Sequence, residues 1–168
     1  MKETVYIETS FVSLLVADPS RDVSIAGNQQ VTRDWWERRR HAFQCVTSDE
    51  TVREASQGDE RQVRLRLEKL RGMPVLPVSD EAEMLAAQFL ATGSLPVAAR
   101  ADASHLAIAT LAETDYLLTW NCRHLANAQI LRRLEREATR RGWSLPYVCT
   151  PHELMGELNY ESETGPDI

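Results

Sequence analysis

Short apolar runs alternate with longer amphipathic ones along most of the chain. Thr4–Ile7 (TVYI) is β-branched and aromatic, the composition of a strand, and it ends at Glu8-Thr9-Ser10. From Ser24 to about Arg40 the pattern is long, polar and helical, closing in WWERRR. Phe43–Val46 is a second strand, followed by a short helix holding Val52 and Ala55, with Gly58 as its stop. Asp59 reads as the N-cap of a helix to Leu70 that presents Val63, Leu67 and Leu70 on one face. Pro74–Val78 is a short extended piece, and Asp80–Ala91 and Ala98–Ala112 are alanine-rich helices. Tyr116–Trp120 is a third clear strand, with a helix after it to about Arg141. Pro146–Val148 is a last strand, and Thr150-Pro-His-Glu153 forms a capping box with proline at the first helical position. The closing LNYESETGPDI is polar and acidic and is expected to fray.

Strands alternating with helices predict an α/β fold with a mainly parallel sheet. At 168 residues the chain suits one domain with a sizeable core. No apolar stretch approaches the roughly 20 residues of a membrane span, and no basic region leads into an apolar run at the start. The three cysteines (Cys45, Cys122, Cys149) are sparse and odd in number, which speaks against a disulfide framework. A cytoplasmic protein is expected. The net charge of −6 does not advertise a nucleic-acid binder, yet all 19 cations except Lys2 and Lys69 are arginines, the better fork for phosphate.

In open α/β sheets functional groups gather beyond the carboxyl ends of the strands. Glu8 follows the first strand and Asn121 follows Tyr116–Trp120, so parallel neighbours would open both onto one edge. On the helix Ala98–Ala112, Asp102 shares a face with Leu106 and Ala109 amid small residues that allow close approach to the sheet. A carboxylate there is costly unless paired or bound to metal. His105, one turn on, is either its partner or a surface residue. Glu50 and Glu54 lie four apart on one helical face, and pattern alone does not choose between them. Three carboxylates in one cleft would repel unless a cation sat among them, and all-oxygen ligands suit Mg²⁺ or Mn²⁺. Asn121 would add a neutral oxygen or donor. Zinc at Cys122 and His124 lacks a second ligand pair. There is no Gly-x-Ser-x-Gly elbow and no glycine-rich phosphate loop.

VYIETSFVSLL, VREASQGD, ADASHLAIA and DYLLTWNCRHLANA, in that order, resemble the four signature segments of PIN-domain ribonucleases, most of all the VapC-like toxins of toxin–antitoxin systems. The resemblance covers roughly Met1 to Asn127. It implies a PIN-like three-layer sandwich over residues 1–158, with 159–168 as a polar tail. It also implies Mg²⁺- or Mn²⁺-dependent hydrolysis of RNA, a small antitoxin partner and a homodimer. Its first acid falls on Glu8, where Asp is usual, and its hydroxyl position on Ser10 or, less favoured, Thr9. The middle glutamate falls on Glu54, the third acid on Asp102, and the fourth, commonly Asp, on Asn121. The implied metal ligands are therefore Glu8, Glu54 and Asp102, with a second ion held weakly or not at all.

Arg123 is a candidate contact for substrate phosphate, while His124 and Asn127 are expected to hold the turn together by hydrogen bonds. Asp115 precedes its strand and belongs at the opposite end of the sheet. Trp35 and Trp36 with Arg38–Arg40 would serve RNA, an antitoxin peptide or a dimer partner. Adjacent tryptophans on a helix are not expected to face one core together, so at least one is placed at an edge or interface. The function expected is thus a metal-dependent endoribonuclease. The alternatives are a catalytically weakened PIN-like module that binds RNA or protein, and a different metal-dependent phosphoesterase such as a DNA nuclease.

Overall fold

The computed structural model describes residues 1–156. The boundary expected at residue 158 and the tail beyond it lie outside the described residues. Five strands form one sheet: β1 (Thr4–Ile7), β2 (Gln44–Ser48), β3 (Val75–Leu76), β4 (Tyr116–Leu118) and β5 (Tyr147–Cys149). Their order is β3-β2-β1-β4-β5, and every pairing is parallel. Between them run α1 (Thr9–Val16), α2 (Val23–Asp34), α3 (Asp49–Ala55), α4 (Glu60–Leu70), α5 (Asp80–Ala91), α6 (Arg100–Leu111) and α7 (Ala128–Arg140). Among the described residues no helix is long and apolar enough to cross a membrane.

A parallel sheet needs cover on both faces, and strand side chains alternate between them. On β1, Tyr6 enters one core with Leu117 of β4 and Leu106, Ala103 and Phe89 of α6 and α5. Its neighbours Val5 and Ile7 enter the other, with Leu118, Phe11 of α1 and Trp35. The result is the three-layer α/β sandwich that the alternation of elements predicts.

The caps explain most boundaries. Ser48, Asp59, Ser79 and Asn127 each accept a backbone N–H in the first turn of α3, α4, α5 and α7. Gly58, at φ 99°, adopts the left-handed conformation that only glycine holds cheaply and separates α3 from α4. The capping box at Thr150 and Glu153 is present, but it opens a 3₁₀ turn, Pro151–Leu154.

Three expectations change. The sequence pattern assigns no element to the residues after Ser10, where α1 stands. Its Phe11, Val12 and Leu15 are buried and its serines are few, so it carries no polar stripe to reveal a helical period. The strand expected to reach Trp120 stops at Leu118, because the Trp120 N–H is taken by Ser10 Oγ at 2.8 Å instead of a neighbouring strand. Finally, Trp35 and Trp36 are both buried, at 0% and 7% exposure. A π-helical turn over Trp35–Arg39 widens the end of α2 and changes the angle between successive side chains. The Arg40 guanidinium and the Lys69 ammonium then lie 4.6 and 5.7 Å from the Trp36 ring centroid. The chain's own cations cover that indole, so the tryptophan pair supplies no argument for a dimer.

Trp35 packs edge-on to Phe11 at 5.4 Å, stacks on Phe43 at 5.8 Å, and donates Nε1–H to Leu154 O at 3.1 Å. Trp35→Ala is expected to cost about 3–5 kcal/mol, the range for emptying a large aromatic site. Trp35→Phe should cost clearly less, losing part of the packing and the bond to Leu154. Urea unfolding followed by circular dichroism measures both.

Candidate functional site

From the central strand β1 the chain builds outward one way through β2 and β3, then returns to add β4 and β5 on the other side. The order therefore reverses between β1 and β4, and a crevice opens at the carboxyl ends of that pair. Ile7 pairs with Leu118 at the rim. Glu8 and Thr119-Trp120-Asn121 are the first residues beyond it.

Glu8 is the N-cap of α1 and only 4% exposed. Its Oε2 accepts from Ser10 N–H at 2.9 Å, from Ser10 Oγ, and from Thr119 Oγ1 at 2.7 Å. Its Oε1 receives no hydrogen bond from a described residue and lies 3.9 Å from His105 Nε2. Ser10, expected to meet substrate, has its hydroxyl engaged by Glu8, Thr119 and the Trp120 N–H.

Glu54 stands in the last turn of α3. Its Oε1 accepts from Thr9 Oγ1 at 2.7 Å and from His105 Nε2 at 2.5 Å, while Oε2 receives no hydrogen bond from a described residue. Glu50 instead pairs with Arg53 on the surface at 2.5 Å. Of the two glutamates open from spacing, Glu54 is the one that faces the crevice.

His105 is fully buried, and neither role expected for it, as the partner of Asp102 or as a surface residue, is the one it takes. It sits three residues from Asp102 on α6, but its ring turns inward, with Nδ1 at 2.7 Å from Tyr6 Oη. Tyr6 Oη is in turn 2.5 Å from Ser48 Oγ, the residue that caps α3. Burial pulls the imidazole pKa down. The Tyr6 oxygen, the Glu54 hydrogen bond and the charges of Glu8 and Glu54 outweigh it and hold the value well above 6.5. The shift favours the protonated ring, with Nε2 facing Glu54 Oε1 and Nδ1 facing Tyr6 Oη. For Glu54, burial pushes the pKa up, but the bond and charge of His105, with Thr9 and Arg53, bring it below 4.5.

Asp102 forms a second group beside the first. Its Oδ1 accepts from Asn121 Nδ2 at 2.8 Å, and its Oδ2 meets His124 Nδ1 at 2.9 Å. Asn121 Oδ1 accepts from the His124 N–H at 3.0 Å, and Asn121 N–H donates to Thr119 Oγ1 at 2.9 Å. Thr119, wholly buried, therefore joins the two groups through Glu8 on one side and Asn121 on the other. Both oxygens of Asp102 are engaged by its neighbours. Asn127 caps α7 and holds Arg123 O at 3.1 Å, while Arg123 itself is exposed. Asp115 accepts from Thr4 N–H at 2.7 Å, at the far end of β1.

Among the described residues, the set offering three ligand atoms within 4.8 Å of one another is Glu8, Glu54 and His105. Asp102, expected as the third ligand, is outside it. The two glutamates suit a hard divalent ion: each keeps one oxygen without a hydrogen bond, and the other is fixed by hydroxyls or imidazole. His105 already engages Tyr6 at Nδ1 and Glu54 at Nε2, and a hard ion prefers the carboxylate oxygens beside it. The residues that sequence pattern passed over, Tyr6 and Thr119, are the ones that connect the groups. The signal for Thr119 was a hydroxyl inside LLTW, where an apolar residue would serve a buried strand equally well.

Comparison with known proteins finds no matching family model and no curated protein that matches this sequence.

The pair Glu54–His105 sets a pH window. The raised His105 value gives stability that is fully present below 6.5 and lost as pH rises through the folded-state value. The lowered Glu54 value gives stability present above 4.5 and lost as pH falls through its folded-state value. In EDTA-treated protein the urea midpoint should therefore be highest between these two limits and fall on both sides. His105→Gln should lower that plateau and flatten the alkaline limb.

Proposed function

We propose that the protein is a divalent-metal-dependent endoribonuclease. The observation that carries this reading is the pair Glu8 and Glu54 at the switch point of a parallel sheet, each with one oxygen left for a ligand and the other held by the protein. The likeness of four ordered segments to PIN-domain ribonucleases supports it. Glu8 and Glu54 would hold Mg²⁺ or Mn²⁺. A bound ion of this kind activates water and steadies phosphoryl oxygens during phosphodiester hydrolysis.

The chain's own groups do the remainder. His105 keeps Glu54 ionised and aimed by holding a proton at Nε2. Thr119 and Ser10 fix the rotamer of Glu8. Asp102 orients Asn121 and His124 at the rim, where their polar edges, with exposed Arg123, would meet the RNA backbone. On the resemblance alone, the reading extends to a homodimeric toxin of the cytoplasm that a small antitoxin protein neutralises.

One observation favours a second reading, a weakened module that binds RNA or protein. His105, its pKa raised, stands beside the two glutamates where a cation would otherwise balance them, and Asn121 adds no charge of its own.

Calorimetric titration with Mn²⁺, alongside cleavage of a structured RNA, separates the two. Glu54→Gln is expected to weaken Mn²⁺ by more than about tenfold, roughly 1.4 kcal/mol. Asp102→Ala should abolish cleavage. Asn121→Asp replaces the donor to Asp102 with a like charge, so it should destabilise the metal-free protein and strengthen Mn²⁺ binding. RNA cleavage undiminished by EDTA would overturn the metal-dependent reading. Tight Mn²⁺ binding without cleavage of any RNA would favour the binding module.

A further inference from the structure

At the amino edge of the sheet, opposite the crevice, a cavity of about 290 Å³ is lined by Lys2, Arg40, His41, Lys69 and Arg71, with no Asp or Glu on its wall. Lys2 precedes β1, His41 precedes β2, and Arg71 precedes β3, so the loops entering three neighbouring strands each bring a cation or a histidine to one place. None of these four cations forms an ion pair among the described residues, where the lysine and arginine pairs are made by Arg53, Arg61, Arg140 and Arg141.

The gathering is built. Lys2 Nζ donates to His41 O at 2.6 Å. Arg40 and Lys69 both lie over the Trp36 ring, which is 7% exposed. Both cations thus pack against one indole. The Arg40 Nε is inaccessible to solvent and has no hydrogen-bond partner among the described residues. The neighbouring Cys45 thiol is pushed up to about 11 by burial, against the opposing pull of Arg40 and Lys2. The four cations repel one another, and no Asp or Glu lines the cavity to neutralise them.

We infer that this cavity binds a terminal phosphate or pyrophosphate group, carried by a small molecule or by the end of a nucleotide. Four cations call for a ligand of more than one negative charge, since a single carboxylate would leave most of them uncompensated. Two of them are arginines, whose planar forks match phosphate oxygens. The cavity volume, about 290 Å³, admits a diphosphate group. The site shares no residue with the glutamate crevice, so it stands or falls independently of the nuclease reading.

The test is calorimetric titration of the full chain, treated with EDTA and held at low salt. The probes are pyrophosphate, inorganic phosphate, and a dinucleotide with either a 5′-phosphate or a 5′-hydroxyl. Pyrophosphate should bind, inorganic phosphate more weakly, and the 5′-phosphorylated dinucleotide at least about tenfold more tightly than its hydroxyl counterpart. Lys69→Gln and Arg71→Gln alter exposed side chains and should each weaken pyrophosphate by about tenfold. Arg133→Gln, on α7, should leave it unchanged. Absence of pyrophosphate binding at millimolar concentration would overturn the inference, as would equal losses in all three variants. Equal affinity for the two dinucleotides would overturn it too, by making the surface a track for the diester backbone.

Discussion

Like charges cannot share a dry crevice without a counter-charge, and the site is organised around the way this chain meets that condition. Glu8 and Glu54 arrive from the ends of β1 and α3, and His105 Nε2, on a ring whose pKa is raised, stands 3.9 Å from one and 2.5 Å from the other. The ring is fixed at both nitrogens, by Tyr6 behind it and Glu54 before it, and the two glutamates favour its charged form. Tyr6 therefore does two jobs. Its ring fills the core under α6, and its hydroxyl ties the charge centre to Ser48 at the start of α3.

Position follows from the sheet. Every strand is parallel and the central pair β1 and β4 is covered on both faces, so polar groups of that pair reach solvent where the ladder ends. The reversal of strand order between β1 and β4 falls at that end. Alanines on α6, among them Ala103 and Ala107, are fully buried and let this helix approach closely enough for His105 to reach Tyr6. A larger residue at either position would push the histidine away from both of its partners.

Much of this was legible along the chain. Strand β1, helix α5 and the Asp59 cap of α4 are strongly marked by period and cap residue, and the structure places them where the pattern does. The placement of Glu8 and Asn121 at one edge needed only the rule for strand ends. The rest depended on contacts that no local pattern encodes. α1 is apolar on too many sides to display a period. The tryptophan pair is reconciled by a π-turn, which has no sequence signature. The inward turn of His105 is decided by Tyr6, which lies 99 residues away in sequence. Spacing alone set His105 beside Asp102, because positions three apart on a helix are neighbours whatever lies beneath them.

The central strand also governs when the site exists. β1 leads the chain, yet one of its two partners is β4, and the hydroxyl of Thr119 that steadies Glu8 lies 111 residues further on. Closing so long a loop is slow compared with forming local helices. During synthesis Glu8 therefore emerges while only one side of its strand can be paired and its anchor Thr119 is still untranslated. A nascent chain shorter than residue 119 has the acidic residues Glu8, Glu54 and Asp102 but not the frame that aligns them, so assembly of the crevice is a late event that reports near-completion of the domain.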